Sequence, residues 1–103
     1  MDIIWSPLAK ETYRNTIEFI LLKWTLKEAE ALDIKVEALI KKLRINKNLC
    51  PVSDQENLRK CVVSPQTSLI YEVKEKVIEL LIFIDNRSKH TYQNGKYSAI
   101  SSL

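Results

Sequence analysis

Apolar residues recur every three or four positions along the first half of the chain, then every second position or in unbroken runs along the next forty residues. The change of period marks a change from helix to strand. From Pro7 to Trp24 the apolar set is Ala9, Tyr13, Ile17, Ile20, Leu21 and Trp24, which lies along one side of a helix. Ser6-Pro7 supplies the start, a hydroxyl N-cap followed by proline where a missing N–H costs nothing. A second group, Leu8, Phe19 and Leu22, lies on another side, so this helix is expected to touch something on two faces. Thr25-Leu26-Lys27-Glu28 is a capping box that starts a second helix almost where the first stops. Its seam is Ala29, Leu32, Val36, Leu39 and Leu43, with Ile40 alongside. So short a link makes the pair an antiparallel hairpin.

Before the hairpin, Asp2 to Trp5 reads as a short strand. After it, Asn46 to Asn57 is a loop rich in Asn, Pro and Asp. Leu58 to Val63, Ser68 to Lys74 and Val77 to Asp85 then read as three strands joined by short turns, an antiparallel meander. The last is the most apolar and is expected at the centre of the sheet, covered on both faces. The order β-α-α-β-β-β gives an α+β fold, a helical hairpin packed on an antiparallel sheet. With 103 residues there is room for one domain. It is expected over residues 1–90, with 91–103 a polar, loosely held tail.

Composition narrows the chemistry. The formal net charge of +3 is unevenly spread. Residues 1–46 carry eight basic and seven acidic side chains, whereas Asn86 to Leu103 carries Arg87, Lys89, Lys96 and His90 and no acid. Such a tail is either merely solvated or turned toward a polyanion. The single glycine, Gly95, removes every glycine-rich phosphate loop. One histidine cannot build a multi-histidine metal centre, and no cofactor is expected. The opening residues are not a secretory signal, and no apolar run approaches the ~20 residues of a membrane helix. A cytoplasmic protein is expected, with Cys50 and Cys61 reduced and Cys61 buried in its strand.

Two sets of residues are candidates for function. On the outer side of the second helix, Ala31, Ile34, Ala38 and Ile45 form a thin apolar stripe. With Phe19 and Leu22 of the first helix, it is either scattered surface or a docking surface for a partner. In the C-terminal half, Arg59, Lys60, Tyr71, Arg87, Lys89, His90 and Tyr92 collect cations, an imidazole and phenols. Cleaving RNA through its 2′-hydroxyl needs a proton acceptor, a proton donor and cations for the phosphate, roles these side chains can fill. The same residues at strand ends are also commonplace.

In order along the chain, Ile4-Trp5-Ser6-Pro7-Leu8-Ala9, the first helix, the capped second helix, Pro51, Leu58-Arg59, Leu69-Ile70-Tyr71-Glu72-Val73 and Val77 to Ile84 closing on Asn86-Arg87 resemble the RelE/ParE superfamily of toxins. The resemblance runs from about residue 3 to 92. It implies a toxin held inactive by a cognate antitoxin whose C-terminal segment wraps the hairpin and sheet. A homodimer and a toxin–antitoxin heterotetramer both fit. RelE-like members cut messenger RNA on the ribosome, and ParE-like members poison DNA gyrase. A third possibility is a non-toxic interaction module of the same fold. The RNA-cleaving reading assigns catalysis to Arg59, Arg87, Lys89, His90 and Tyr92. Two of that group's cations, however, are replaced here by Ser68 and Cys61. At ~2.7–4 kcal/mol for each electrostatic donor, the loss weighs against cleavage. Binding to gyrase, with no catalysis, is the expected activity.

Overall fold

The computed structural model describes residues 1–53 and 57–86. Strand β1 (Asp2–Trp5) leads into helix α1 (Pro7–Lys23), then helix α2 (Leu26–Ile45), followed by strands β2 (Leu58–Val62), β3 (Thr67–Val73) and β4 (Val77–Asp85). The expected β-α-α-β-β-β order is what forms. Both helix starts are made as their sequences dictate. The Ala9 amide donates to Ser6 Oγ at 2.9 Å, and the Glu28 amide to Thr25 Oγ1 at 3.3 Å. The first helix ends one residue short of the expected Trp24, which serves as its C-cap with its amide on the Ile20 carbonyl.

The sheet order is β1-β4-β3-β2. Strands β2, β3 and β4 form the antiparallel meander, but β1 pairs with β4 in parallel, so the four-stranded sheet is mixed. The connection is long enough to allow parallel pairing, because the whole hairpin and two strands intervene between β1 and β4. Strand β4 is therefore central, flanked by β1 and β3. Its pairing with β3 slips between Ile70 and Tyr71, whose partners are Ile82 and Leu80. Leu81 is the extra residue of a β-bulge. The bulge resets the alternation, and Ile78, Leu80 and Phe83 all join the cluster beneath the helices. Leu81, Ile82 and Ile84 join Leu58 and Ile70 in a second buried cluster, against which Leu8 packs.

The main core lies between hairpin and sheet. Ala9 from α1 and Leu32, Val36 and Leu43 from α2 meet Cys61, Leu69, Tyr71, Ile78, Leu80 and Phe83. Trp5, Tyr13 and Phe83 form an aromatic trio with ring centroids 4.9–5.6 Å apart, tying β1, α1 and β4 together. Two members of the expected α1 core seam, Leu21 and Trp24, are instead exposed near the apex of the hairpin. Thr12 takes a place on the buried side. Glu72 and Glu79 sit directly opposite each other on β3 and β4, and Lys74 in the turn relieves them with an ion pair to Glu79 at 2.7 Å. Among the described residues no helix is long and apolar enough to cross a membrane.

Candidate partner-binding groove

Where the two helices turn back on each other, they stand away from the β2–β3 turn and leave a groove of about 410 Å³. One wall is helical, with Asn15, Thr16, Phe19 and Trp24 on α1 and its cap, and Glu28, Ala31 and Lys35 on α2. The opposite wall is the turn Ser64-Pro65-Gln66 with Thr67, and Ile20, Leu32 and Phe83 contribute apolar surface. The turn is held stiffly. Amides of Val63, Ser64 and Thr67 bond within it, and the Asn86 side-chain amide donates to the carbonyls of Ser64 and Pro65 at 3.3 and 3.2 Å. An apolar trough between two rigid walls, with hydroxyl and amide groups at its lip, suits an amphipathic segment of another chain.

Of the six side chains read from the sequence as partner-binding, Phe19 and Ala31 line this groove. Leu22, Ile34, Ala38 and Ile45 are all exposed outside it, Leu22 and Ile45 at 80 % and 89 %. The six thus divide between the groove and the outer surface of the hairpin. Trp24 is the residue that sequence reasoning assigned elsewhere. Its periodicity places it with the core seam, yet at 53 % exposure it stands at the mouth of the groove. A usable signal was its position immediately before a helix N-cap, where a seam residue has run past the end of its own helix.

The candidate catalytic cluster is described in part, since Arg87, Lys89, His90 and Tyr92 lie outside the described residues. Arg59 lies beside Tyr71 on the β2–β3 ladder. Its guanidinium donates to the Cys50 carbonyl at 2.6 Å. The Tyr71 hydroxyl donates to the Lys47 carbonyl at 2.8 Å and accepts from the Cys50 amide at 3.4 Å. Burial pushes the Tyr71 phenol up from its ordinary value, opposed by the Cys50 amide bond and the charge of Arg59. Arg59 and Tyr71 thus fasten the loop after α2 to the sheet.

The two positions that lack the expected cations are enclosed. Ser68 is fully buried, and its hydroxyl donates to Asn86 Oδ1 at 2.7 Å. Cys61 is buried as expected, but it is not a free thiol, because a disulfide joins it to Cys50. The reduced state expected from spacing is therefore corrected. Eleven residues separate the two in sequence, but the loop turns back along β2 and brings their Cα atoms to 5.3 Å, within bridging distance. Among the described residues no group of three or more His, Cys, Asp or Glu side chains is arranged to hold a metal.

The fold is shared with known proteins. A model of the family described as "ParE toxin of type II toxin-antitoxin system, parDE" matches residues 3–90. Among solved structures, the chromosomal ParDE toxin–antitoxin system from P. aeruginosa is similar with a TM-score of 0.70 at 17% identity, covering 82% of this chain and 95% of that one. A YoeB/ParE toxin from Agrobacterium tumefaciens gives 0.62 at 13% identity, covering 84% and 99%. The E. coli DinJ-YafQ complex gives 0.53 at 18% identity, covering 84% and 94%. At such identities these structures share the fold alone. No curated protein matches the chain.

Proposed function

The chain belongs to the ParE toxin family of type II toxin–antitoxin systems, and from that premise we propose that it inhibits DNA gyrase by binding, under the control of a cognate antitoxin. Residues 1–90 make up the toxin domain in this reading, the expected tail at 91–103 lies outside the described residues, and the protein acts in the cytoplasm. The observation that carries the choice of target is the enclosure of Ser68 and Cys61. RNA-cleaving members of the superfamily need cations at these positions that reach a phosphate. Here one position holds a buried hydroxyl bonded to Asn86, and the other a buried sulfur bonded to Cys50. Preorganised positive charge is what stabilises a pentavalent phosphate, and it is diminished at both places. Arg59, the remaining described member of the set, is engaged by the Cys50 carbonyl. Inhibition by binding asks for none of this.

The antitoxin is proposed to lay an amphipathic segment in the groove between hairpin apex and β2–β3 turn, with Phe19 and Trp24 as anchors. Large aromatic side chains in an apolar trough are the usual source of binding energy at such sites. Ile34, Ala38 and Ile45, exposed on the outer side of α2, extend the surface available to the antitoxin or to gyrase.

The test sets two reactions side by side. Purified chain is added to gyrase supercoiling relaxed plasmid, and to ribosomes translating a defined message. Blocked supercoiling with an intact message is the expected pair of outcomes. Cleavage of the message at ribosome-bound codons, with gyrase unaffected, would overturn the reading. A cognate antitoxin should restore supercoiling at a one-to-one ratio.

A further inference from the structure

The disulfide between Cys50 and Cys61 fastens more than two sulfurs. Strand β2 is the outermost strand of the sheet, paired on one side with β3. An edge strand presents free amides and carbonyls to which a strand from another chain can add. Here the loop that carries Cys50 turns back and covers that edge. Val52 forms an antiparallel bridge with Arg59, the Lys60 amide donates to the Pro51 carbonyl at 3.1 Å, and the Ser53 amide donates to the Leu58 carbonyl at 2.8 Å. Residues 51–53 thus act as a stub of a fifth strand.

The first two residues of the stub bury little side chain. Pro51 and Val52 are exposed, and Pro51 has no amide to contribute to a ladder. Its anchors lie at Cys50: the bond to Cys61, the Arg59 guanidinium on the Cys50 carbonyl, and the contact of the Cys50 amide with Tyr71. Cys50 sits immediately before the stub and Cys61 two residues beyond Arg59 on the covered strand, so the covalent link spans the pairing itself. Both cysteines are buried, at 8 % and 3 % exposure.

We propose that Cys50 and Cys61 form a reversible thiol–disulfide clamp that holds the 51–53 stub on the outer edge of β2, and that reduction releases the stub from this edge. The reaction is thiol–disulfide exchange. A thiolate of a dithiol reductant attacks one sulfur of the pair, the Cys50–Cys61 bond breaks, and a mixed disulfide forms. The second thiol of the reductant then displaces the remaining cysteine. The protein gains two electrons and two protons as two thiols, and the reductant leaves as its own disulfide. The clamp does not rest on the target proposed above, because position 61 carries no cation whether its sulfur is bonded or free.

Amide hydrogen exchange on the full chain tests it, with oxidised protein, dithiothreitol-reduced protein and the Cys50→Ser/Cys61→Ser double variant compared. Alkylation before and after reduction counts the thiols. Oxidised protein should show none and reduced protein two. The amides of Ser53 and Lys60 should exchange at least roughly tenfold faster in the reduced protein and in the double variant, while those of β3 and β4 keep their protection. Three outcomes would overturn the proposal. The first is thiols that alkylate freely in air-oxidised protein. The second is equal exchange at Ser53 and Lys60 in both redox states. The third is loss of protection throughout β3 and β4 on reduction, which would make the bond a staple of the whole fold.

Discussion

The Thr12 hydroxyl oxygen lies 2.9 Å from the Phe83 amide nitrogen and accepts its proton, so a helix side chain completes the hydrogen bonding of the central strand. Strand β1 ends at Trp5, opposite Leu80, and beyond that point β4 has no strand on this side. Helix α1 takes over. The Ser6 amide donates to the Leu80 carbonyl at 3.0 Å, Ser6 Oγ donates to the Leu81 carbonyl at 2.9 Å, and Thr12, six residues further along, reaches Phe83. The Thr12 hydroxyl spends its own proton on the Leu8 carbonyl at 2.7 Å. All of this surrounds the bulge at Leu81, which it holds in register.

Replacing Thr12 with Val keeps the shape and removes the acceptor, leaving a buried N–H without a partner. The expected cost is about 1–3 kcal/mol of stability, and Thr12→Ser should recover most of it. Urea unfolding monitored by circular dichroism measures both. An unchanged midpoint for Thr12→Val at unchanged slope would mean that another acceptor reaches Phe83.

Tyr13 gives a prediction about pH. Partial burial, the hydrogen bond to Asp33, and the charges of Asp33 and Glu37 all push its phenol well above the ordinary tyrosine value. The folded state therefore keeps a proton that the unfolded state gives up at a pH near 10. This contribution to stability is complete below that pH, and it is lost as pH rises above it toward the folded value. Stability should thus fall with rising pH above about 10, and Tyr13→Phe, which also gives up the bond to Asp33, should lower stability at neutral pH and flatten that slope. Denaturant unfolding at several alkaline pH values, alongside phenolate absorbance, measures it. Equal slopes for the two proteins would show that the phenol ionises freely in the folded state.

These two examples also mark how far the sequence could be read. Periodicity was enough to find both helices, because the buried residues Ala29, Leu32, Val36 and Leu43 fall on one seam and caps mark each start. It was enough to put Val77 to Asp85 at the centre of the sheet, because a strand covered on both faces must be apolar throughout. It could not show the bulge. In an unbroken run such as Leu80-Leu81-Ile82-Phe83-Ile84, no polar residue reveals where the alternation resets. Strict alternation would put Phe83 on the face opposite Leu80, and the groove would lose that ring. The buried polar role of Thr12 was hidden for the same reason, since its partner exists only once the strand is placed. The disulfide was illegible because two cysteines eleven apart meet only if the loop doubles back.

Phe19 lines the groove, and Ile45 lies outside it. Phe19→Glu places a charge inside the trough, and Ile45→Glu places one on the far side of α2. If the antitoxin segment lies in the groove, Phe19→Glu should weaken its binding by at least about 2 kcal/mol, roughly thirtyfold in Kd, and Ile45→Glu by far less. Both side chains are exposed, so neither change should shift the melting temperature much. Titration calorimetry against the cognate antitoxin distinguishes them. The reverse ranking would move the docking surface to the outer stripe.

Arg59 decides between holding a loop and acting on RNA. Its guanidinium bonds the Cys50 carbonyl at 2.6 Å on the same side of the ladder as Tyr71, which itself bonds Lys47 and Cys50. A side chain engaged in this way fixes the path of the loop and has fewer donors left for a phosphate. Arg59→Ala should therefore lower stability by about 1.5–3 kcal/mol, the range of a hydrogen bond to a charged group, with the lower end expected for a half-buried site. Gyrase inhibition should persist at temperatures where the variant remains folded. A nuclease would behave otherwise: losing the arginine would abolish message cleavage by orders of magnitude while leaving binding intact. Measuring unfolding, supercoiling inhibition and message integrity on the same preparation separates the two roles. Loss of growth arrest in a fully folded variant that still binds gyrase would assign Arg59 to catalysis and defeat the binding-only reading.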